Sequence, residues 1–170
     1  MQINDIDLTT SYAVTDIPEL SSSLHSKVNL FAGHIQVNTW KYFHILVKSI
    51  THVPYKQPKS KVLFWFNGGP GCSSMDGMFL ENGPLRFNTS TSPPSLRINE
   101  KGWWKEIDLV YVDQPPGTGY SLGTVFDSSN QVVDNFETFL ENFMEIYPMF
   151  QSSDIYLGGE SFAGVWIPQI

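Results

Sequence analysis

The stretch KVLFWFNGGPG, residues 61–71, decides the fold class of this chain. Residues 61–66 form a continuous, largely apolar run of strand length, which is typical of a strand buried on both faces of a sheet. The run stops at Asn67, and the glycines and proline that follow cannot continue a strand. We therefore predict a buried strand that ends in a tight, glycine-rich loop.

Two further strands and a helix follow along the chain. We predict strands at IDLVYVD (107–113) and DIYLGG (154–159). The first of these ends where QPPGTG follows it. Between them, apolar residues recur at helical spacing over 130–147, with Ser128, Ser129 or Asn130 available as a cap. The predicted buried positions are Val133, Phe136, Leu140, Phe143 and Ile146 or Tyr147. Alternating strands and helices indicate an α/β fold with a parallel sheet.

The flanking sequence extends this pattern. HIQV (34–37) and KYFHILV (41–47) predict a hairpin, whereas residues 1–28 are interpreted as an irregular lead to one domain over 29–170. SSMDGMFLENG predicts a short helix with Ser73 or Ser74 near its cap, and FAGVWIPQI begins another helix. Ligands bind at the carboxyl ends of parallel strands, so residues 67–71, 113–119 and 160–161 are expected to converge.

Composition excludes several classes of protein. The chain has 170 residues, of which 41% are hydrophobic, so it is expected to be globular. Its net charge of −7, from 17 acidic and 10 basic residues, argues against a nucleic-acid partner. We expect no membrane span, because no apolar run reaches about 18 residues. The first residues, MQINDIDLTTSY, do not resemble a secretory signal.

Residues 159–164, GESFAG, resemble the nucleophile elbow G-x-S-x-G, in which a serine occupies a strained turn between strand and helix. Ala163 takes the place of the last glycine, so the small-residue requirement is kept. The alternative is a serine that caps the following helix. A nucleophilic serine also needs backbone N–H groups for the oxyanion, and the loop at 67–71 is of the type that supplies one of them.

Four stretches together resemble the serine carboxypeptidases of the α/β-hydrolase fold: FAGHIQV (31–37), FWFNGGPGCSSMDGMFLENGP (64–84), VDQPPGTGYS (112–121) and GGESFAGVWIP (158–168). They occur in the family's order, and the block at 64–84 is the most specific. The SSMDG portion looks most like the fungal Kex-type enzymes, which trim C-terminal Lys and Arg from processed propeptides. The chain is thus interpreted as the N-terminal part of an α/β-hydrolase domain that acts on peptide or protein C-termini.

The resemblance implies roles for individual residues. Ser161 would be the nucleophile, with the N–H groups of Gly69 and Phe162 as the oxyanion hole. Asn67, the Gly68 N–H and Glu160 would bind the substrate's terminal carboxylate, and Glu81 and Trp65 would support them through hydrogen bonds. Cys72 would form a disulfide with a cysteine that is absent here. The family uses no cofactor or metal for this chemistry. Phe162 stands where the family usually has Tyr, but only its backbone N–H is needed.

Glu160 beside a nucleophile has a physical explanation under this resemblance. Two ionised carboxylates repel each other, whereas a proton shared between them makes a short, strong hydrogen bond. If Glu160 is buried near Glu81, its pKa would rise and it would donate to the substrate's carboxylate at mildly acidic pH. The alternative is a glutamate that is stabilised by the dipole of the following helix.

The triad is incomplete in this sequence. In α/β-hydrolases the chain order is Ser, Asp, His, yet His25, His34, His44 and His52 all precede Ser161. We therefore expect these 170 residues to be an inactive portion that lacks the triad's Asp and His. The alternatives are a degenerate product that binds peptides or has no function, and an acyltransferase that uses the same site.

Two features bear on cellular location. Asn88-Thr89-Ser90 is a glycosylation sequon, which is weak evidence alone because such triplets arise by chance. The resemblance implies a secretory, vacuolar or extracellular location, where a Cys72 disulfide would persist.

Overall fold

The computed structural model describes residues 8–20, 26–49, 60–124 and 128–170, and these form one five-stranded sheet and a separate two-stranded one. The large sheet has the order β1-β2-β6-β3-β7, and the small one pairs β4 with β5. The strands are β1 (Asn29–Val37), β2 (Trp40–Lys48), β3 (Lys61–Phe66), β4 (Leu85–Asn88), β5 (Ser95–Ile98), β6 (Asp108–Val112) and β7 (Asp154–Gly159). The helices are α1 (Leu8–Tyr12), α2 (Ser129–Ile146) and α3 (Ala163–Trp166).

The predicted strands and their parallel arrangement are confirmed. β1 and β2 form the antiparallel hairpin, and β2 joins β6 in antiparallel fashion. β3 lies between β6 and β7 and is parallel to both, with Trp65 aligned to Tyr111 on one side and to Gly158 on the other. The carboxyl ends of β3, β6 and β7 therefore share one edge of the sheet.

The sheet is covered on both faces, and β3 contributes alternately to each. Phe64 packs edge-to-face against Phe136 and Phe143 of α2, with ring centroids 5.8 and 5.1 Å apart. On the other face, Trp65 packs edge-on against Trp103, whose three-residue 3₁₀ turn precedes β6. Because β3 is buried on both faces, its sequence is a continuous apolar run and does not alternate between apolar and polar residues.

The buried stripe of α2 differs from the predicted one. Val132 and Phe139 are buried along with the predicted Phe136, Phe143 and Tyr147. The predicted Val133 and Leu140 are only half-buried. The spacing fits both stripes, but Phe139 and Phe136 stack with centroids 5.8 Å apart and fill the face that contacts β3.

The segments around the sheet also depart from prediction in two places. The predicted short helix is a π-helical turn over residues 77–81. The prediction that Ser73 lies near its cap is confirmed, because the Ser73 hydroxyl accepts the N–H of Met75 at 3.2 Å. The irregular lead contains the one-turn helix α1. Within the described residues, β7 is the sheet's last strand, and Ile155 and Tyr156 on it are 43% and 45% exposed.

Candidate active site

The turn between β7 and α3 has the geometry of a nucleophile elbow. Ser161 has φ of 54°, a left-handed conformation that is strained for any residue but glycine. The N–H groups of Ala163 and Gly164 donate to the carbonyls of Glu160 and Ser161, both at 3.0 Å, and close the turn. No side-chain hydrogen bond caps α3, so the alternative interpretation of Ser161 as a helix cap is wrong.

Small residues allow this turn to pack. A Cβ on Gly159 would lie 2.6 Å from the Cβ of Ala163 and would also collide with the carbonyl oxygen of Phe66. Glycine is therefore required at 159 and a small residue at 163, as expected where a strained turn lies against a neighbouring strand. Ser161 itself is exposed, so its hydroxyl is open to a substrate.

The glycine-rich loop after β3 lies directly against the elbow. A Cβ on Gly68 would lie 2.5 Å from the backbone nitrogen of Phe162 and 2.9 Å from the Cβ of Ser161. Gly69 follows with φ of 105°. Among the described residues, the N–H groups of Gly69 and Phe162 have no hydrogen-bond partner. The structure thus brings the two predicted oxyanion donors to the same turn as Ser161.

Asn67 is the centre of a hydrogen-bonded cluster beside the elbow. Its side chain is buried, and its Oδ1 accepts hydrogen bonds from the indole of Trp65 and the N–H of Gly77, both at 3.0 Å. These two donors fix the amide, so Nδ2 points at the carboxylates of Glu81 (2.8 Å) and Glu160 (3.4 Å). All five predicted carboxylate-site residues therefore meet in one place.

Glu160 also accepts a hydrogen bond from the N–H of Gly68, at 3.0 Å. The neighbouring carboxylate of Glu81 is half-buried. Glu160 itself is exposed, so the burial on which the hypothesis of a raised pKa depends is not present in this structure. Glu160 does lie near Glu81, as predicted, because the Asn67 amide donates hydrogen bonds to both carboxylates.

Sequence reasoning missed a second layer of polar contacts behind Asn67. Asp113 is expected to fix the turn after β6, and its Oδ2 does accept the N–H of Tyr120 at 2.8 Å. Its Oδ1, however, accepts hydrogen bonds from the Ser73 hydroxyl (2.7 Å) and the Ser74 N–H (2.8 Å) of the loop after β3. The adjacent serines were the available signal, but they were interpreted as helix caps.

An apolar groove of about 470 Å³ adjoins this cluster. It is lined by Phe43, Ile45, Met75, Asp76, Phe79, Leu80, Phe87 and Tyr120. Asp76 is the charged member of this lining, is exposed, and directly precedes Gly77, which donates to Asn67. The groove therefore borders the contacts of Asp113 through Tyr120, and none of the candidate carboxylate-site residues lines it.

The histidines within the described residues are not placed to act on Ser161. The Nε2 of His34 lies 2.8 Å from the carbonyl oxygen of Tyr120. His34 is on β1, at the edge of the sheet opposite β7. His44 is buried in the core, with Nε2 2.9 Å from the hydroxyl of Tyr147. Burial lowers the pKa of His44 to about 3, so its imidazole is neutral at physiological pH. His25 and His52 lie outside the described residues.

Other predicted features lie near the surface. Cys72 is exposed as a free thiol, and its N–H donates to the carbonyl of Gly68 at 3.0 Å, so it adjoins the oxyanion loop. Asn88 is the last residue of β4, and its Oδ1 accepts a hydrogen bond from the Ser90 hydroxyl at 2.5 Å. In the part of the chain that is described, no three potential ligands are grouped around a metal position, and no helix is long and apolar enough to cross a membrane.

A sheet of this order with a strained serine between strand and helix defines the α/β-hydrolase class of fold. A family model described as serine carboxypeptidase matches residues 18–170, and this match shows that the chain belongs to that family. The chain is 39% identical over 170 residues to the pheromone-processing carboxypeptidase KEX1 of Debaryomyces hansenii and 35% identical over 176 residues to that of Coprinopsis cinerea.

The match to a solved structure agrees with these relatives. A crystal structure of Kex1(delta)p, a prohormone-processing carboxypeptidase from Saccharomyces cerevisiae, superimposes with a TM-score of 0.78 at 31% identity and covers 94% of this chain. This confirms the predicted fold and family. The chain covers 37% of that structure's chain and spans about a quarter (24% and 28%) of the two relatives' length.

Proposed function

We propose that this chain supplies the nucleophile, the oxyanion donors and the carboxylate-binding residues of a serine-type carboxypeptidase. One observation carries the proposal: Asn67, the Gly68 N–H and Glu160 are gathered directly beside the elbow of Ser161. An endopeptidase has no need for a carboxylate-binding cluster one residue from its nucleophile. An exopeptidase does need one, because it must register the substrate's free end next to the bond that it cleaves.

The proposed chemistry is acyl transfer to water. Ser161 Oγ attacks the carbonyl of the last peptide bond, its proton passes to a general base, and that proton then goes to the leaving amine. The oxyanion accepts hydrogen bonds from the N–H groups of Gly69 and Phe162. Water then hydrolyses the acyl-enzyme. The base must come from outside the described residues, since neither His34 nor His44 lies at the elbow.

The carboxylate of the substrate would bind where Glu160 now accepts hydrogen bonds. The Gly68 N–H and the Asn67 amide are the donors, and the ionised Glu160 competes for both of them. A proton shared between Glu160 and the substrate removes that competition and the repulsion between two carboxylates.

A preference for C-terminal Lys or Arg is the finer part of the proposal. The groove that borders the contacts of Asp113 is apolar except for Asp76. A lysine or arginine side chain combines an apolar stem with a cationic head, and such a lining suits both parts. The similarity to pheromone- and prohormone-processing carboxypeptidases supports a peptide precursor as the substrate. Asp76→Asn should reduce release of C-terminal Lys relative to Leu, and Asp134→Asn on the surface of α2 is its matched control.

A secretory, vacuolar or extracellular location is proposed with this function. The support is the family and the sequon that begins at Asn88, the last residue of β4. Cys72 is exposed beside the active-site loop, where a disulfide partner from elsewhere could reach it.

The test of the function is release of C-terminal amino acids by the polypeptide that carries residues 1–170. Steady release that Ser161→Ala abolishes supports the proposal. Binding without release identifies the alternative, a non-catalytic peptide-binding protein, and equal action on internal bonds would contradict an exopeptidase.

A further inference from the structure

Asp113 is a buried carboxylate whose partners are all neutral donors. It is fully buried at the carboxyl end of β6, and the described residues offer it the Ser73 hydroxyl and the N–H groups of Ser74 and Tyr120. Burial raises the pKa of the Asp113 carboxyl, and these three hydrogen bonds oppose that rise. A buried charge is costly, so a side chain kept in this position needs a reason beyond closing one turn.

A chain of hydrogen bonds connects Asp113 to Asn67. Ser74, whose N–H binds Asp113, is itself buried, and its hydroxyl donates to the carbonyl of Val112 at 2.6 Å. The same hydroxyl accepts the backbone N–H of Asn67 at 3.1 Å. The Ser74 hydroxyl thus joins the ends of β3 and β6 at the residue where β3 becomes the glycine-rich loop.

The position of Asn67 decides the position of the whole carboxylate site. Its amide is aimed by Trp65 and Gly77, and the next residue, Gly68, donates to Glu160 and packs against Ser161. A displacement of the Asn67 backbone would therefore move the two donors for the substrate's carboxylate relative to the nucleophile. A shift of about 1 Å at such a site is enough to lose much of its effect.

We propose that Asp113, acting through Ser74, is a positioning residue for the carboxylate site. This rests on the proposed function, and it assigns to Asp113 no contact with the substrate. A carboxylate suits the role because it accepts on both oxygens. An asparagine would have to turn its NH₂ group towards either the Ser74 N–H or the Tyr120 N–H, so one hydrogen bond would be replaced by a donor–donor contact.

The test compares the affinity of the 170-residue chain for an N-acetylated peptide ending in free Lys with its affinity for the same peptide as an amide. The variants are Asp113→Asn and Ser74→Ala, and the control is Tyr147→Phe, which removes a buried hydroxyl that binds His44 in the core. We expect the acid-to-amide ratio to fall about fivefold or more in both site variants, the equivalent of one buried hydrogen bond. The control should lose stability but keep the wild-type ratio.

The outcomes separate the two proposals. If wild type prefers the acid and both Asp113→Asn and Ser74→Ala keep that preference, the positioning role is overturned while the proposed function stands. If wild type shows no preference for the acid, the carboxylate site itself is wrong and the positioning role is overturned with it. Should Asp113→Asn fail to fold, Ser73→Ala replaces it, because it removes one donor to the Asp113 carboxylate and keeps the contact between Ser74 and Asn67. An unchanged acid-to-amide ratio in that variant overturns the role of Asp113.

Discussion

Adding one methyl group at Gly68 should damage the candidate site far more than adding one three residues later. On Gly68, the new Cβ would lie 2.5 Å from the Phe162 nitrogen, 2.9 Å from the Ser161 Cβ and 3.0 Å from the Glu160 oxygen. These are backbone or near-backbone atoms of a strained turn, so no flexible side chain can move aside. On Gly71, a Cβ would meet nothing within 4 Å.

The expected magnitudes follow from this difference. Overpacking of a tight contact costs about 1–3 kcal/mol of unfolding free energy. For a chain of this size each kcal/mol lowers Tm by about 2–4 °C, so Gly68→Ala should melt roughly 2–12 °C below wild type. Gly71→Ala should lie within about 0.5 kcal/mol of wild type or be slightly more stable, because alanine restricts the unfolded chain.

Thermal unfolding followed by circular dichroism measures the stability of both variants, and titration with a peptide ending in free Lys measures the site. Gly68→Ala should also weaken this binding, since the clash pushes the Gly68 N–H away from Glu160 and the elbow. Equal Tm values and equal affinities for Gly68→Ala and Gly71→Ala would refute the packing of the glycine-rich loop against Ser161.

Three further predictions concern the core, the sequon and the oxyanion site. The pKa of His44 is about 3 in the folded protein and about 6.5 in the unfolded chain. Because the unfolded chain takes up a proton between pH 7 and pH 5, wild type should lose about 2 kcal/mol of unfolding free energy over that range. Urea unfolding at a series of pH values should show a smaller loss in His44→Gln, and parallel pH profiles for the two proteins would contradict this. In a secretory host, an endoglycosidase should shift the mobility of wild type but not of Asn88→Gln; no shift in wild type would mean that Asn88 is unmodified. Phe162→Ala should keep any peptide-releasing activity within about tenfold because the role uses only its backbone N–H, whereas Phe162→Pro, which removes that N–H, should abolish it.

The sequence was sufficient for the strands and for the convergence of their ends. A strand buried on both faces has a distinctive continuous apolar run, and β3 and β6 carry such runs. Loops at the carboxyl ends of parallel strands meet by topology alone, so Asn67, Glu160 and Ser161 could be placed together before any distance was known.

Features that depend on close packing were not predictable in the same way. The stripe of α2 was assigned to Val133 and Leu140, although Phe139 is the residue that fills the face beneath β3. Helical spacing permits neighbouring stripes, and only the shape of the opposing surface chooses between them. The π-helical turn at 77–81 similarly depends on the close approach of Gly77 to Trp65 and Asn67.

The polar layer behind the site was missed for a related reason. Ser74 and Asp113 are separated by 39 positions, and their hydrogen bond exists only because β3 and β6 are neighbours in the sheet. A serine after a glycine-rich loop is as typical of a helix cap as of such a bridge. The exposure of Glu160 is likewise a tertiary property, which the sequence around it does not encode locally.

The central claim is that this chain recognises the free carboxylate of a peptide beside Ser161. The most direct measurement is isothermal titration of the 170-residue chain with an N-acetylated peptide ending in Lys, as the free acid and as the amide. The account predicts that amidation weakens binding about tenfold or more, because it removes a charge-assisted hydrogen bond to Asn67 and the Gly68 N–H. Equal affinity for the acid and the amide would contradict it.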